Sequence, residues 1–487
     1  MKKRLLGLMD GLPCAIRGEN AVVTGIAIDS RRVRPGALFF ALPGAKNDGR
    51  AFIAAALKRG AAAVCAPAGT ALPAAAGATL VTVPDVRGTL ARVADRFWGH
   101  PSGRLGLIGV TGTNGKTTTA FYTKHILTMA GRPTGLLGTV RNEIGGRVLP
   151  ASLTTPESHD LNAFLHRMVR AGMVNAVAEI SSQGIDAGRA DGLTFAQCLF
   201  TNLSGEHLDH HGTMEAYFAA KARLFAMLPA GHPAVINLDD PWGRRLAAQV
   251  PRAAGVSLRR HEAYLTGRVR ELTADGTRLE LRFGGRTRIV HLNRPGRHNA
   301  MNFMMAAAAA LQAGVDLAAV ARAGAVLPVV PGRLEAVDCG QEFAVYVDYA
   351  HTDQALENVL TAVRGFTRRR VIAVFGAGGD RDRTKRPRMG RVACDRADLT
   401  VLTSDNPRGE DPRRILRDIQ AGTGGREWKV IADRHDAIAV ALDAARPGDT
   451  VVIAGKGHED YQIIGTERTH FSDAETVRDL LCGKVCS

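Results

Sequence analysis

Long apolar runs, paired-cysteine motifs and low-complexity tracts are all missing from this chain of 487 residues. Without a stretch of ~20 predominantly apolar residues, no membrane-spanning helix is expected. Residues 1–13 have the basic start of a secretion signal, but Gly7, Asp10 and Gly11 break the apolar part and no small-residue cleavage site follows. The cysteines are Cys14, Cys65, Cys198, Cys339, Cys394, Cys482 and Cys486, an odd number with no CxxC spacing. That pattern argues against a zinc site and against a disulfide framework; reduced thiols in a cytoplasmic protein are expected. No internal repeat is visible.

What the chain does have is positive charge. Lys and Arg number 63 against 47 Asp and Glu, a net charge of +16. Such an excess suits nucleic acid, a strongly anionic small substrate, or solubility alone. The basic residues are spread along the chain, with local clusters only at Arg259-Arg260 and Arg368–Arg370. No nucleic-acid-binding motif accompanies them, so a nucleic-acid partner is not expected.

At ~100–200 residues per domain the length suggests about three domains. Hydrophobic residues make up 45%, enough for several cores. Residues 21–28, 61–66 and 80–83 read as strands and 51–59 as a helix. Residues 105–110 form a buried strand running into a glycine turn and a helix, the signature of parallel βαβ units. The pattern recurs at 176–180 and 234–237. Residues 302–313 read as a core helix. After Pro331-Gly332 the alternation resumes at 344–347, 356–363, 371–375, 399–402, 429–431 and 450–454. The expected fold is three consecutive α/β domains, at 1–100, 101–330 and 331–487. The central one is a P-loop ATPase domain with a mostly parallel sheet; the last is Rossmann-like.

The sharpest local signal is Gly109-Val-Thr-Gly-Thr-Asn-Gly-Lys-Thr-Thr-Thr119. It follows a strand and opens a helix, the context a phosphate loop requires. Gly112 and Gly115 let the backbone approach phosphate oxygens, and the N–H groups of the helix start face the anion. Lys116 supplies a point charge and Thr117 a hydroxyl for Mg²⁺. Val110 stands where the general GxxxxGK[ST] pattern has its first glycine.

The form Thr-Gly-Thr-Asn-Gly-Lys-Thr resembles the loop of the Mur ligases and their folylpolyglutamate synthetase relatives. Further motifs follow in that family's order: Thr154-Thr155-Pro-Glu157, Glu179-Ile-Ser-Ser182, Thr201-Asn-Leu203 running into His207-Leu-Asp209, and Ala219-Ala-Lys221. Asn237-Leu-Asp-Asp240, His298-Asn299 with Asn302, Pro331-Gly-Arg333 and Asp348-Tyr-Ala-His351 come next. Near the start, Asp29-Ser30-Arg31, Pro35-Gly36, Leu38-Phe39 and Asp48-Gly49 resemble the uridine-nucleotide-binding domain of the muramoyl-tripeptide synthetases. Near the end stand Gly376–Arg386, Asp405-Asn-Pro-Arg408 and Gly455-Lys-Gly-His-Glu459. The resemblance covers nearly the whole chain.

It implies an ATP-dependent ligase forming an amide through an acyl phosphate, acting alone as a monomer in cytoplasmic peptidoglycan precursor synthesis. The Asp-Asn-Pro-Arg form implies that the amino acid added is meso-diaminopimelate rather than L-lysine, and the resemblance as a whole implies UDP-N-acetylmuramoyl-L-alanyl-D-glutamate as the acceptor. A guanidinium fork at Arg408 suits a distal carboxylate that lysine lacks. Lys116, Glu179, His207 and Lys221 are the implied catalytic residues. Thr117, Glu179, His207 and Lys221, the last as its CO₂ carbamate, are the implied Mg²⁺ ligands. Gly112–Thr118 (including Thr113 and Asn114), His298, Asn299, Arg333 and Asp348 are implied for ATP. Ser30, Thr154, Thr155, Ser181 and Arg189 are implied for the uridine-linked peptide, and Arg386, Asp405, Asn406, Arg408, Gly455 and Glu459 for the amino acid. Gln183, Ala187, Gly205-Glu206 and Asp353-Gln354 depart from the family pattern. They leave open a paralogous ligase with another amino acid or acceptor, or a non-catalytic nucleotide- or nucleic-acid-binding paralogue.

Overall fold

The computed structural model describes residues 1–44, 48–73 and 77–485. Cys486 lies outside them. Three α/β domains follow one another along the chain, each built on its own largely parallel sheet.

The first sheet runs in space Ala15–Arg17, Thr79–Val83, Ala63–Pro67, Ala37–Phe40, Gly25–Ala27, parallel except for its first pair. Residues 21–28, expected as one strand, divide at Thr24. Val22–Val23 pairs with Lys3–Arg4 in a separate ribbon, while Gly25–Ala27 joins the sheet. Ala37–Phe40, a wholly buried strand, is not anticipated by the sequence reading.

The second sheet has 11 strands. Its middle seven are parallel, in the spatial order Thr134–Leu137, Asn175–Glu179, Gly106–Thr111, Gln197–Phe200, Ala234–Asn237, Ala253–Ser257, Leu265–Thr273. Antiparallel strands finish both edges: Arg141–Ile144 with Arg147–Pro150 at one, Gly276–Phe283 with Arg286–Leu292 at the other. The helix Arg297–Gln312 packs beneath the sheet against the helix Lys116–Met129. Met304, Met305 and Ala306–Ala310 in it are fully buried, as expected of a core helix.

The third sheet runs Glu335–Ala336, Ala344–Asp348, Thr450–Ala454, Val371–Phe375, Leu399–Leu402, Glu427–Val430, parallel after its first pair. No helix among the described residues is long and apolar enough to cross a membrane.

Parallel strands end on one edge, and ligands collect in the crevice beyond their carboxyl ends. In the second sheet that edge carries Thr111, Glu179, Phe200 and Asn237. In the third it carries Asp348, Ala454, Phe375 and Leu402. The phosphate loop, Glu179, Asp348 and the Asp405–Arg408 motif all lie at or just beyond strands that end at these two edges.

Candidate active site

The phosphate loop leaves the strand Gly106–Thr111 and enters the helix Lys116–Met129. Its glycines are required by its neighbours. Gly112 has φ 142, and a Cβ there would lie 1.9 Å from Thr201 Oγ1. A Cβ on Gly115, φ 82, would lie 2.4 Å from Asn302 Oδ1. The loop is fastened to the next strand's end. Thr113 N–H donates to Asn202 O (2.8 Å) and Asn114 N–H to Asn202 Oδ1 (2.9 Å). Thr201 Oγ1 and Asn202 Nδ2 both donate to Asn114 O. Thr113 and Asn114 therefore hold the loop's shape with these groups. The N–H groups of Lys116, Thr117 and Thr118, in the first helical turn, have no intrahelical acceptor and are the ones left for an anion.

Two lysines meet beneath this loop. Lys116 Nζ donates to Gly112 O (3.0 Å) and Thr113 O (2.7 Å). Lys221 Nζ donates to the same Gly112 O at 2.8 Å, with its residue only 1% exposed. Burial, reinforced by the Lys116 charge, pushes the Lys221 amine well below the usual lysine range. Tyr217 lies under it, its ring centre 4.5 Å from Nζ.

Glu179 is buried at the next strand end. Thr117 Oγ1 donates to its Oε2 (2.9 Å), as does Thr139 Oγ1 (3.0 Å), and Thr139 N–H holds Oε1 (2.9 Å). A Cβ on Gly138 would lie 2.2 Å from Glu179 Oε1, so the glycine makes room for the carboxylate. His207 has a left-handed backbone, φ 57, at the start of the short helix Leu208–His211. Its Nε2 is 3.9 Å from Glu206 Oε1.

From the third domain, Arg333 reaches across. Its Nη2 is 3.4 Å from Thr117 Oγ1 and its guanidinium lies over the Tyr349 ring at 4.8 Å. Asp348 anchors the crossing, accepting Leu334 N–H (2.7 Å) and Ala350 N–H (2.8 Å). His298 and Asn299 line the same cleft as Lys116, Glu179, His207 and Arg333. His298 Nδ1 and Arg333 Nε are buried without a hydrogen-bond partner among the described residues. Burial holds the His298 imidazole down at about 4, so it is neutral near pH 7. A cleft with such polar atoms, a helix N-terminus and Lys116 fits a nucleoside triphosphate. The Glu179 carboxylate and Thr117 hydroxyl, both hard oxygen donors, fit Mg²⁺.

Glu206 is a member of the cleft that the sequence shows only as a departure. Its Oε1 lies 3.6 Å from His351 Nε2 of the third domain. Burial would raise its pKa, but His351, His207 and Lys116 outweigh that and hold it far below the carboxylate range. It joins the two domains across the cleft. The only advance signal is its place beside His207.

On the peptide side, Thr154 Oγ1 meets Thr139 Oγ1 (3.0 Å). Thr155 Oγ1 accepts Ser181 N–H (2.9 Å) and contacts Glu179 O (3.0 Å) and Ser181 Oγ (3.2 Å). Arg189 bonds Thr155 O (3.2 Å) and pairs with Glu157 (2.8 Å). Ser30 is buried in the first domain and, among the described residues, makes no hydrogen bond to this group; its neighbour Arg32 pairs with Asp160 of the second domain at 3.2 Å. Among the departures, Gln183 and Gly205 are exposed, and Asp353 pairs with Arg388 (2.9 Å) on the surface.

At the third sheet's edge, Asn406 is the hub. Its Nδ2 donates to Glu459 Oε2 (2.8 Å), and its Oδ1 accepts Ile463 N–H (2.9 Å) and Lys456 Nζ (3.4 Å). Gly455, φ 118, leaves space for Asp405, whose Oδ2 would lie 2.6 Å from a Cβ there. Arg408, φ 52, places its Nη1 on Gly379 O (3.0 Å). Arg381, absent from the sequence-derived set, stands beside it: a Cβ on Gly378 would lie 2.9 Å from Arg408 Nη1 and 3.8 Å from Arg381 Cγ.

Arg386 is a correction. It is wholly buried, with Nη1 on Glu410 (3.0 Å) and Asp418 (2.8 Å) and Nη2 on Glu410 (2.8 Å) and Gly378 O (3.3 Å). Both fork nitrogens are spent on the domain's own frame, and none is presented to a ligand. Arg386→Ala is expected to destabilise the protein by about 1–3 kcal/mol, since a buried guanidinium and its bonds to two partly exposed carboxylates are lost. Denaturant titration checks this; unchanged stability with a raised KM for the amino acid would restore a binding role.

Family models match most of the chain. The Mur ligase family catalytic domain matches residues 22–98, the Mur ligase middle domain 110–310 and the Mur ligase glutamate ligase domain 332–457. A relative from Solibacter usitatus is 45% identical over 475 residues, 97% of this chain and 96% of its own.

The chain belongs to the Mur ligase family.

That relative is named UDP-N-acetylmuramoyl-L-alanyl-D-glutamate–2,6-diaminopimelate ligase, as is one from Geobacillus thermodenitrificans, 43% identical over 473 residues and 95% of both chains. A solved structure of a ligase of the same name superposes with a TM-score of 0.70 at 35% identity, covering 100% of both chains. The Mur ligase fold extends to more distant members. MurF from Thermotoga maritima, solved with ADP, gives a TM-score of 0.66 at 19% identity, over 95% of this chain and 97% of that one.

Proposed function

We infer that the chain is an ATP-dependent ligase that joins meso-2,6-diaminopimelate to the D-glutamate γ-carboxylate of UDP-N-acetylmuramoyl-L-alanyl-D-glutamate. It is an acid–amino-acid ligase of cytoplasmic peptidoglycan precursor synthesis. The observation that carries this reading is the closing of the third domain on the phosphate cleft, through Arg333 to Thr117 and His351 to Glu206. A phosphate loop with Lys116, Glu179 and the buried Lys221 lies on the central domain, and the Asp405–Arg408 pocket lies on the third domain. The full-length likeness to diaminopimelate ligases supports the substrates.

A carboxylate does not react with an amine at neutral pH, so the first step transfers phosphate. The γ-carboxylate oxygen attacks the γ-phosphorus of ATP and ADP leaves, giving an acyl phosphate. The diaminopimelate amine then attacks the acyl carbon; phosphate departs and the amine loses a proton. Charge develops on phosphoryl oxygens in both steps, so fixed cations and N–H donors lower the barrier most. Lys116 and the helix N-terminus are placed for this, and Arg333 brings a third-domain cation to Thr117 when the domains meet.

Mg²⁺ would be held by Thr117 and Glu179, and a second ion by His207 with Lys221 as its carbamate; bound there, the ions would neutralise phosphate charge. Lys221 fits carbamylation because burial beside Lys116 favours the neutral amine that reacts with CO₂. Thr154, Ser181 and Arg189 hold the peptide, Ser30 its uridine end, and Asp405, Asn406, Arg408, Gly455 and Glu459 the amino acid. Glu459 is the group for the distal ammonium and Arg408 for the distal carboxylate.

The test is isotopic. With both γ-carboxylate oxygens labelled as ¹⁸O, each turnover should place one ¹⁸O in inorganic phosphate and leave one in the new amide. Unlabelled phosphate would contradict the acyl-phosphate route.

A further inference from the structure

Every described cysteine is a free thiol, and Cys65, Cys198 and Cys394 are buried in the domains' interiors. Cys339 and Cys482 are different. Their sulfurs stand 2.7 Å apart although the residues are 143 positions apart in the chain. That is well inside the resting distance of two unbonded sulfur atoms.

Both positions are built. Cys339 lies in a turn fastened by its own side chains: Cys339 N–H donates to Gln341 Oε1 (2.8 Å), Gln341 Nε2 to Val337 O (3.0 Å) and Gly340 N–H to Asp338 Oδ1 (2.9 Å). Cys482 lies near the end of the helix Asp473–Val485. Val337, two residues before the first thiol, and Ala474 and Val477 of the helix share one hydrophobic cluster, with Leu480 and Leu481 packed against it. The helix start is fixed by Asp473, fully buried against Arg434 at 2.7 Å. The two backbones are thus held in register by packing that does not involve sulfur. Cys482 is exposed and Cys339 partly so, which admits a small oxidant.

We propose that Cys339 and Cys482 form a disulfide site, closed by exchange with a low-molar-mass disulfide, that covalently ties the last helix to the start of the third domain. The Cys482 thiolate attacks one sulfur of the small disulfide and expels one small thiolate. The Cys339 thiolate then attacks the Cys482 sulfur of the mixed disulfide and expels the second. The pair loses two protons and two electrons, and one small disulfide becomes two thiols.

The closed loop would enclose nearly the whole third domain, and a cross-link across so long a loop restricts the unfolded chain strongly. The tied helix also bears on the crossing between domains. Arg478 lies 3.5 Å from Glu335, and Glu335 Oε2 accepts Gly332 N–H (2.8 Å), next to Arg333. Neither cysteine belongs to the Asp405–Arg408 pocket, so the effect expected is on persistence of the fold rather than on the chemical step.

The test uses the full chain treated with glutathione disulfide, alkylated and digested without reduction. Mass spectrometry should find a Cys339–Cys482 linked peptide. Thermal unfolding should shift up by about 5 °C or more, reversed by dithiothreitol. Cys482→Ser and Cys339→Ser should each abolish link and shift; Cys486→Ser should abolish neither. Glutathione adducts alone, a Cys482–Cys486 link, or a Cys339–Cys482 link with no thermal shift would overturn the proposal.

Discussion

Lys221→Ala should lower turnover by ~10³-fold, while ATP still binds. The residue is 1% exposed, and its amine is bonded to Gly112 O with the Lys116 amine on the same carbonyl. A permanent ammonium there would repel Lys116 and any metal ion. Burial favours the neutral amine, and in the proposed mechanism that amine would add CO₂ and lose a proton to become a carbamate anion. That carbamate would be a metal ligand of the sign the chemistry needs, on the side chain that shares Gly112 O with Lys116. Alanine removes that ligand but leaves the first-turn N–H groups that grip phosphate. Phosphate release and nucleotide binding are measured side by side, with bicarbonate fixed. ¹³C-bicarbonate should give a carbamate resonance in the unaltered protein and none in the variant. Near-normal turnover of Lys221→Ala would remove the residue from the catalytic set.

The second large effect is expected at Arg408. Arg408→Ala should cut kcat/KM for meso-diaminopimelate by ~10²–10³-fold, with KM for ATP unchanged, because a charged carboxylate loses its paired donor. Arg408→Lys should recover little, since an ammonium cannot offer two parallel donors. The strained backbone at Arg408, φ 52, is fixed by Ile463 and Gly465: Arg408 N–H donates to Ile463 O (3.0 Å) and Gly465 N–H to Arg408 O (2.8 Å). That cost is tolerated where an arginine fork has to be aimed. Arg381 beside it should show a smaller loss of the same kind. An Arg408→Ala enzyme with unchanged selectivity would move diaminopimelate recognition elsewhere in the pocket.

How far the sequence could be read depended on the distance over which each signal acts. The phosphate loop was legible because strand, glycines, lysine and helix are contiguous. Glu179 and the Asn406 hub were legible as motifs, each following a buried strand that delivers it to a sheet edge. Arg386 was misread because a buried arginine paired with Glu410 and Asp418 looks in one dimension like an arginine awaiting a ligand; only burial separates the two. Arg381 lay in the same Gly-rich stretch and was passed over because nothing local separates this exposed arginine from the buried one. Glu206 makes its sense through His351, 145 positions on, which no local pattern exposes. The outer strands Gly276–Phe283 and Arg286–Leu292 were also unread, although Leu279, Leu281, Val290 and Leu292 point inward and Arg278, Arg282 and Arg286 outward. Their turn at Gly284-Gly285, φ 53 and 74, was the cue available.

The most direct test is phosphate release from ATP with UDP-N-acetylmuramoyl-L-alanyl-D-glutamate, with meso-diaminopimelate or L-lysine supplied separately. The account predicts turnover with meso-diaminopimelate and almost none with L-lysine. Equal turnover with both, or turnover with neither from folded protein that binds ATP, would contradict it.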